Sequence, residues 1–226
     1  MLGIIVILLF GLPGERPGGL ILTMIYFITA GGGAFIAGFI YATLCVGFPR
    51  GSLLIQACGA LIRGIPLLLL VFLVAHVPGL KTDSAGIIAL LLYSASHVGE
   101  ILRPFWASYP ESLSQQACVM NISCIQEWLE LRTPWTLWRA FPVLLTHWVS
   151  LLKDTGALIV LGIGELTTVA KTLGELQRTT GQWAIVLVTA AGLYLAGTLL
   201  LIYVLQYGLE RFLPVVKISS HYKVHT

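Results

Sequence analysis

The chain has 226 residues, 57% of them hydrophobic and 10% charged, with a formal charge of +3 and a mean hydropathy of +0.91. A soluble domain carries about a quarter charged residues, so this composition excludes an ordinary water-soluble globule and implies an integral membrane protein. The Lys and Arg are scattered, which excludes a nucleic-acid-binding stripe and a juxtamembrane polybasic cluster.

Spanning a bilayer takes about 20 apolar residues, and the runs of that kind are taken in chain order. Residues 1–12 are apolar but too short to span. They lack the basic n-region and small-residue cleavage site of a signal peptide, so an interfacial or partly inserted helix is expected. After "GLPGERPGG" come spans at about 20–47, 53–77 and 84–102. The first contains "TAGGGAFIAGF", residues 29–39, whose small residues allow close helix approach and suggest packing with a second membrane subunit. A long polar connection follows, about 103–140, punctuated by Pro104, Pro110, Pro134 and Pro142. Two short helices separated by turns are expected in it. Spans at about 141–169 and 183–207 complete the set, for an all-α protein with about five transmembrane helices and a short N-terminal helix.

Lys and Arg are retained on the cytoplasmic side. With the N-terminus outside and the C-terminus inside, Arg50, Arg63, Arg103, Arg132, Arg139, Arg211, Lys217 and Lys223 fall at the inner face. Arg16, Lys81, Lys171 and Arg178 remain outside. The 103–140 connection is then cytoplasmic. Cys45, Cys58, Cys118 and Cys124 lie in or beside apolar stretches without CxxC spacing, and read as buried small hydrophobes rather than disulfide or metal ligands. His76 reads as an outer-interface residue and His97 as a helix-packing one.

The connection begins "EILRPFWASYPESLSQQACVMNIS" and ends "EWLELRTPWTLWRAFP". Glu100, Ile101, Arg103, Ser108, Pro110, Ala117, Pro134 and Pro142 match, in order and spacing, the cytoplasmic loop of ABC-importer permeases, particularly the polar amino-acid uptake family. "SLLKDT", Ser150–Thr155, matches a signature of that family in full, and "GIGELT", 162–167, resembles its V-I-G-V-x-E-L-T. Upstream, "LIRGIPLLLLVFL", 61–73, and "GLILT", 19–23, resemble its L-I-R-G-T-P and entry motifs. The chain departs where the family has E-A-A and a motif glycine: Gln115 and Gln116 precede Ala117, and Asn121 replaces the glycine. Asparagine tolerates the left-handed conformation better than other non-glycine residues, so the turn is expected to survive. Glu127 and Glu130 stand where basic residues are common in the family.

The resemblance implies one permease transmembrane domain, 1–226, with the coupling loop at 103–140, in the cell inner membrane. It implies half of a pore completed by an identical or homologous permease subunit. A surface or periplasmic binding protein would deliver an amino acid, and separate ABC ATPase subunits would hold ATP and Mg. No cofactor or metal is implied in this chain. The sequence contains no GxxxxGK[ST], GxSxG or HExxH, so neither a P-loop nor a recognisable catalytic motif is present. Gln116, Ala117, Met120 and Asn121 fall in the loop segment that couples to the ATPase in the family.

Ionisable groups inside a bilayer cost at least ~2.5–3.5 kcal/mol each, and are retained for a pathway, a site or a buried pair. By the resemblance, Glu100 and Asp154 occupy positions of acidic residues lining a central cavity, where a carboxylate attracts an amino-acid ammonium. Ser96, one turn before Glu100, is expected to add a hydroxyl. Lys153, about 100° around the helix from Asp154, faces elsewhere. The alternative is a non-transporting structural or regulatory membrane partner, suggested by the eroded E-A-A stretch. A secondary transporter is disfavoured by five spans without an internal repeat.

Overall fold

A computed structural model describes residues 2–11, 18–177 and 180–212. Arg16, Arg178, Lys217, Lys223 and the side chain of Arg211, all used above for orientation, lie outside the described residues. The described elements are α1 (Leu2–Phe10), α2 (Gly19–Gly47), α3 (Pro49–Gly64), α4 (Leu67–Ala75), α5 (Thr82–Ala107), α6 (Glu111–Val119) and α7 (Cys124–Gln126). A π-helical turn (Glu127–Arg132) then leads into α8 (Thr133–Asp154), followed by a 3-10 segment (Thr155–Leu161), α9 (Leu166–Glu175) and α10 (Thr180–Phe212). Four of the described helices are long and apolar enough to cross a membrane, five if α3 and α4 form one bent span.

Several small residues of α2 are used within this chain. Ala30, Ala34, Gly38 and Ala42 recur every four residues and are buried inside this chain. A Cβ on Gly38 would lie 2.7 Å from Val98 and 2.9 Å from the Ala95 carbonyl. These four residues therefore bring α2 onto α5 within this chain, while Gly32 on the other side of the helix is exposed. Lipid tails are as apolar as leucine, so helix contact inside a bilayer depends on such close packing. Tyr26, Leu70, Val71, Ala89, Leu90, Leu151 and Leu152 extend this core to α4 and α8.

Three boundaries differ from the sequence reading. The expected span 53–77 breaks at Ile65 and Pro66, where α3 and α4 meet at 99°. Pro66 has no N–H to continue α3, and its ring holds Ile65 extended (φ −83°, ψ 124°). The span drawn as 141–169 is helical only to Leu161 and restarts at Leu166. Gly162 adopts φ 67°, and Glu165 begins α9 as its N-cap. Lastly, α5 runs through Pro104 to Ala107. Packing overrides the proline there: Trp106 is fully buried, edge-on to Phe39 at 5.0 Å and 5.2 Å from Trp128.

Nine-residue α1 covers about 14 Å at 1.5 Å per residue, too little to span. Its Leu8 is buried with Leu166, Val169 and Leu173 of α9 and Val186 and Ala190 of α10. The cysteine expectation holds only for Cys45. Cys58, Cys118 and Cys124 are exposed, because they occupy the outward faces of α3, α6 and α7.

Candidate functional site

Two polar stripes face each other in the apolar bundle. On α5, Tyr93, His97 and Glu100 fall at i, i+4 and i+7, and on α8, His147, Ser150 and Asp154 fall at i, i+3 and i+7. Both spacings place side chains on one helix face. The rings of His97 and His147 stack with centroids 5.4 Å apart and a 12° interplanar angle. Tyr93 lies 4.5 Å from His97, and the His147 Nε2 is 2.8 Å from the Ser94 hydroxyl. His97 is therefore part of a polar junction, not the simple packing residue expected. The half-buried Asp154 carboxylate has His97 as its electrostatic neighbour and the Ser150 hydroxyl one turn away.

"SLLKDT" is divided by this geometry. Leu151, Leu152 and Thr155 are buried, and they anchor the end of α8. Ser150, Lys153 and Asp154 remain accessible at the point where α-helix tightens to 3-10. Asp154 thus stands at a helix junction rather than deep inside a regular span. Lys153 is exposed, turned away from the stripe.

Glu100 is held in an ion cluster. Its Oε1 accepts from Tyr41 OH at 2.5 Å and lies 3.5 Å from Arg63 Nη2. Its Oε2 accepts from Arg103 Nε and Nη2 at 3.2 and 3.1 Å. Arg63 also donates to the Ser96 carbonyl at 3.0 Å. Tyr41 fits between α3 and α5 because residues 59 and 99 are glycines. A Cβ on Gly59 would come 2.8 Å from the Tyr41 hydroxyl, and one on Gly99 would overlap the ring. The R-G-x-P and E-I-x-R stretches, distant in sequence, thus meet in space. Ser96 does not offer the hydroxyl expected of it. That hydroxyl donates to the Tyr93 carbonyl at 2.8 Å, and the residue is buried.

The sequence reading assigned no role to Glu165. It is fully buried and accepts from the N–H groups of Thr167 (2.9 Å) and Thr168 (2.8 Å) and from Tyr194 OH (3.0 Å). Thr23 Oγ1 accepts from the Leu166 N–H at 3.1 Å, and the Gly164 carbonyl accepts from the Gly19 N–H at 2.8 Å. "GLILT" and "GIGELT" are therefore the two halves of one joint between α2, α9 and α10.

In the loop, α6 ends in a Schellman motif. Asn121 adopts φ 57°, its N–H donates to the Cys118 carbonyl, and the Ile122 N–H donates to the Ala117 carbonyl, both at 3.0 Å. Ala117 is 2% exposed and faces its own chain, whereas Val119 and Met120 are 87% and 73% exposed. The apolar face expected to include Ala117 is therefore formed without it. Ser114 donates to Glu127, and Ser123 with Gln126 forms a capping box that starts the next helix. That helix is not short: through the π turn it continues into α8, so only one separate short helix forms. Arg132 secures the loop base by donating to the Trp106 carbonyl at 3.2 Å and lying over Tyr109 and Trp128 at 5.2 and 5.1 Å.

A groove of about 290 Å³ between α2, α8 and α10 is lined by Phe27, Gly31, Gly32, Phe35, Trp148 and Leu201 among others. It offers no carboxylate or cation, so it suits hydrocarbon better than an amino acid. Among the described residues, no group of three or more His, Cys, Asp or Glu is placed to hold a metal ion.

Comparison with known proteins agrees with this architecture. The chain is 31% identical over 139 residues to the probable glutamine ABC transporter permease protein GlnP of Bacillus subtilis, covering 59% of this chain and 64% of that one. It is 30% identical over 122 residues to the arginine ABC transporter permease protein ArtQ of Escherichia coli K12, covering 54% and 50%. The chain thus spans between half and two thirds of these curated relatives. Its fold matches a crystal structure of an amino acid ABC transporter with histidines, with a TM-score of 0.72, 21% identity and coverage of 86% and 92%. It also matches inward-facing MetNI methionine ABC transporter, with a TM-score of 0.67, 16% identity and the same coverage. No family model matches the chain.

Proposed function

We propose that this chain, whose fold matches solved amino-acid ABC transporter structures and whose sequence is similar to glutamine and arginine ABC transporter permeases, is the membrane-spanning subunit of an ATP-driven amino-acid importer. It forms half of a pore with an identical or homologous permease. Separate ATPase subunits carry ATP and Mg, and a surface or periplasmic binding protein supplies the amino acid. The chain lies in the inner membrane with its N-terminus outside and its loop and C-terminus in the cytoplasm. The observation that carries this reading is the pair of polar stripes on α5 and α8, with Asp154 accessible among otherwise apolar spans. Such groups are retained in membranes to line a pathway.

In this reading Asp154 holds the substrate ammonium against the imidazoles of His97 and His147. The low-dielectric setting strengthens that attraction relative to bulk water. Glu100 and Ser96 shape the wall through Arg63 and Tyr41. Force passes through α6, whose exposed Gln116, Val119 and Met120 meet the ATPase while Ala117 and Asn121 hold the helix end in shape. The retained Schellman turn supports coupling over the non-transporting alternative. The test is ATP-driven amino-acid uptake by the complete complex in proteoliposomes. Asp154→Asn keeps the size and removes the charge, so uptake should fall at least about tenfold, or ~1.4 kcal/mol, with normal membrane abundance. Unchanged uptake at low substrate removes Asp154 from the pathway.

A further inference from the structure

The loop between α5 and α8 is acidic where it projects. From Pro104 to Leu131 the chain has three glutamates, Glu111, Glu127 and Glu130, and no Lys, Arg or His, so the segment carries a net charge of −3. The arginines at its two ends are engaged with the bundle. Arg103 donates to Glu100, and Arg132 lies over Tyr109 and Trp128 while donating to the Trp106 carbonyl. Glu111 and Glu130 are exposed, and among the described residues neither enters an ion pair. Glu127 is half-buried and accepts from Ser114. That bond ties α6 to the π-helical turn, so the segments bearing the two exposed glutamates are held together.

Along α6, Glu111, Gln115 and Val119 recur every four residues and are all exposed, which makes one ridge, acidic at its start and apolar at its end. Met120 follows, and Ile125 and Leu129 on the next helix are 73% and 64% exposed. Exposed apolar side chains rimmed by polar ones mark a contact with another molecule. The charge decides which kind of molecule fits. Anionic lipid headgroups and nucleic-acid phosphates are repelled by a segment of this sign. A second copy of the chain would bring a second acidic loop, and like charges facing each other disfavour such an interface. A protein groove with an apolar floor and a basic rim complements both features.

We infer, resting on the coupling reading above, that the ATPase subunit receives this loop in a groove with an apolar floor for Val119 and Met120 and a Lys- or Arg-bearing rim for Glu111 and Glu130. Charge as well as shape then selects the ATPase that drives this permease, and one whose rim is acidic is rejected by the same glutamates. Glu111 has a structural use too, because a carboxylate in the first turn of α6 favours the helix dipole. Glu130 lies outside that helix and has no such use.

The test is binding of the separately purified ATPase subunit to the full-length permease, measured as Kd at about 0.1 M and about 1 M sodium chloride, between which the screening length falls from about 10 Å to about 3 Å. Kd should rise at least about tenfold with salt. Glu111→Gln/Glu130→Gln keeps side-chain size, and at low salt it should bind at least about tenfold more weakly than the parent. At high salt the two should bind alike, because the missing charges are screened there. Glu130→Gln alone should weaken binding in the same direction and melt with the parent, which separates docking from the stability of α6. Glu130→Lys should bind more weakly still, and changing one rim Lys or Arg of the ATPase to Glu should restore its binding. Affinity unchanged by salt and by the glutamine variants, or tighter binding of Glu130→Lys, overturns the inference. Loss of binding in Met120→Arg would then leave coupling through α6 standing. No binding of the ATPase to the parent at either salt concentration overturns both.

Discussion

Replacing Glu165 with alanine should detach the joint between α2, α9 and α10. The carboxylate caps two backbone N–H groups of α9 and accepts from Tyr194. Loss of an N-cap costs about 0.5–2 kcal/mol. Here the N–H groups lie against a buried residue, so a group left unpaired adds about 1–3 kcal/mol. Tyr194 retains the Thr167 hydroxyl at 2.9 Å, which limits its share, and the sum is about 2–4 kcal/mol. For a chain of this size each kcal/mol moves Tm by about 2–4 °C, so the variant should melt about 4–16 °C lower. Glu165→Gln keeps one acceptor oxygen and should lose less than half as much. The assay is thermal unfolding of the purified protein, with indole emission as a local reporter in a background that keeps Trp183 and replaces the other five tryptophans with phenylalanine, since Trp183 of α10 packs directly on Gly174 of α9. An alanine variant that melts within about 2 °C of the parent, with unchanged Trp183 emission, would refute the claim that this carboxylate holds the joint.

Asn121→Gly should be tolerated and stabilise by less than ~1 kcal/mol, whereas Asn121→Val should lose ~1–2 kcal/mol because a β-branched residue resists positive φ; thermal melts of both variants check this. Met120→Arg should leave the permease folded and inserted but abolish co-purification of the ATPase. Ala117→Arg should lower Tm as well, because a charge is forced into a site 2% exposed; equal melting of the two variants would contradict the inward placement of Ala117. For topology, with Cys58, Cys118 and Cys124 replaced, single cysteines at Lys81 and Gln182 should be labelled from outside intact cells and one at Gln115 only after lysis. Labelling of the Gln115 site in intact cells would reverse the orientation.

Sequence alone determined the membrane class, the approximate position of every apolar span, and the loop between the third and fourth. These follow from composition and run length, since lipid requires about 20 apolar residues per crossing regardless of neighbours. It also anticipated the Asn121 turn, a local backbone preference that depends on one residue's own sterics. The polar stripes were legible in principle, because Tyr93, His97 and Glu100, and likewise His147, Ser150 and Asp154, fall at helical spacing. What only the tertiary structure decided is which polar groups are occupied by one another. Arg63, Tyr41 and Glu100 come from three helices, and Glu165 caps a helix that the apolar run through 141–169 concealed. No periodicity encodes such meetings, because they arise when α2 lies against α5 through its small residues and when Pro66 turns the second span by 99°. The inward face of Ala117 is of the same kind: a helix has two sides, and the packing of the rest of the chain selects the buried one.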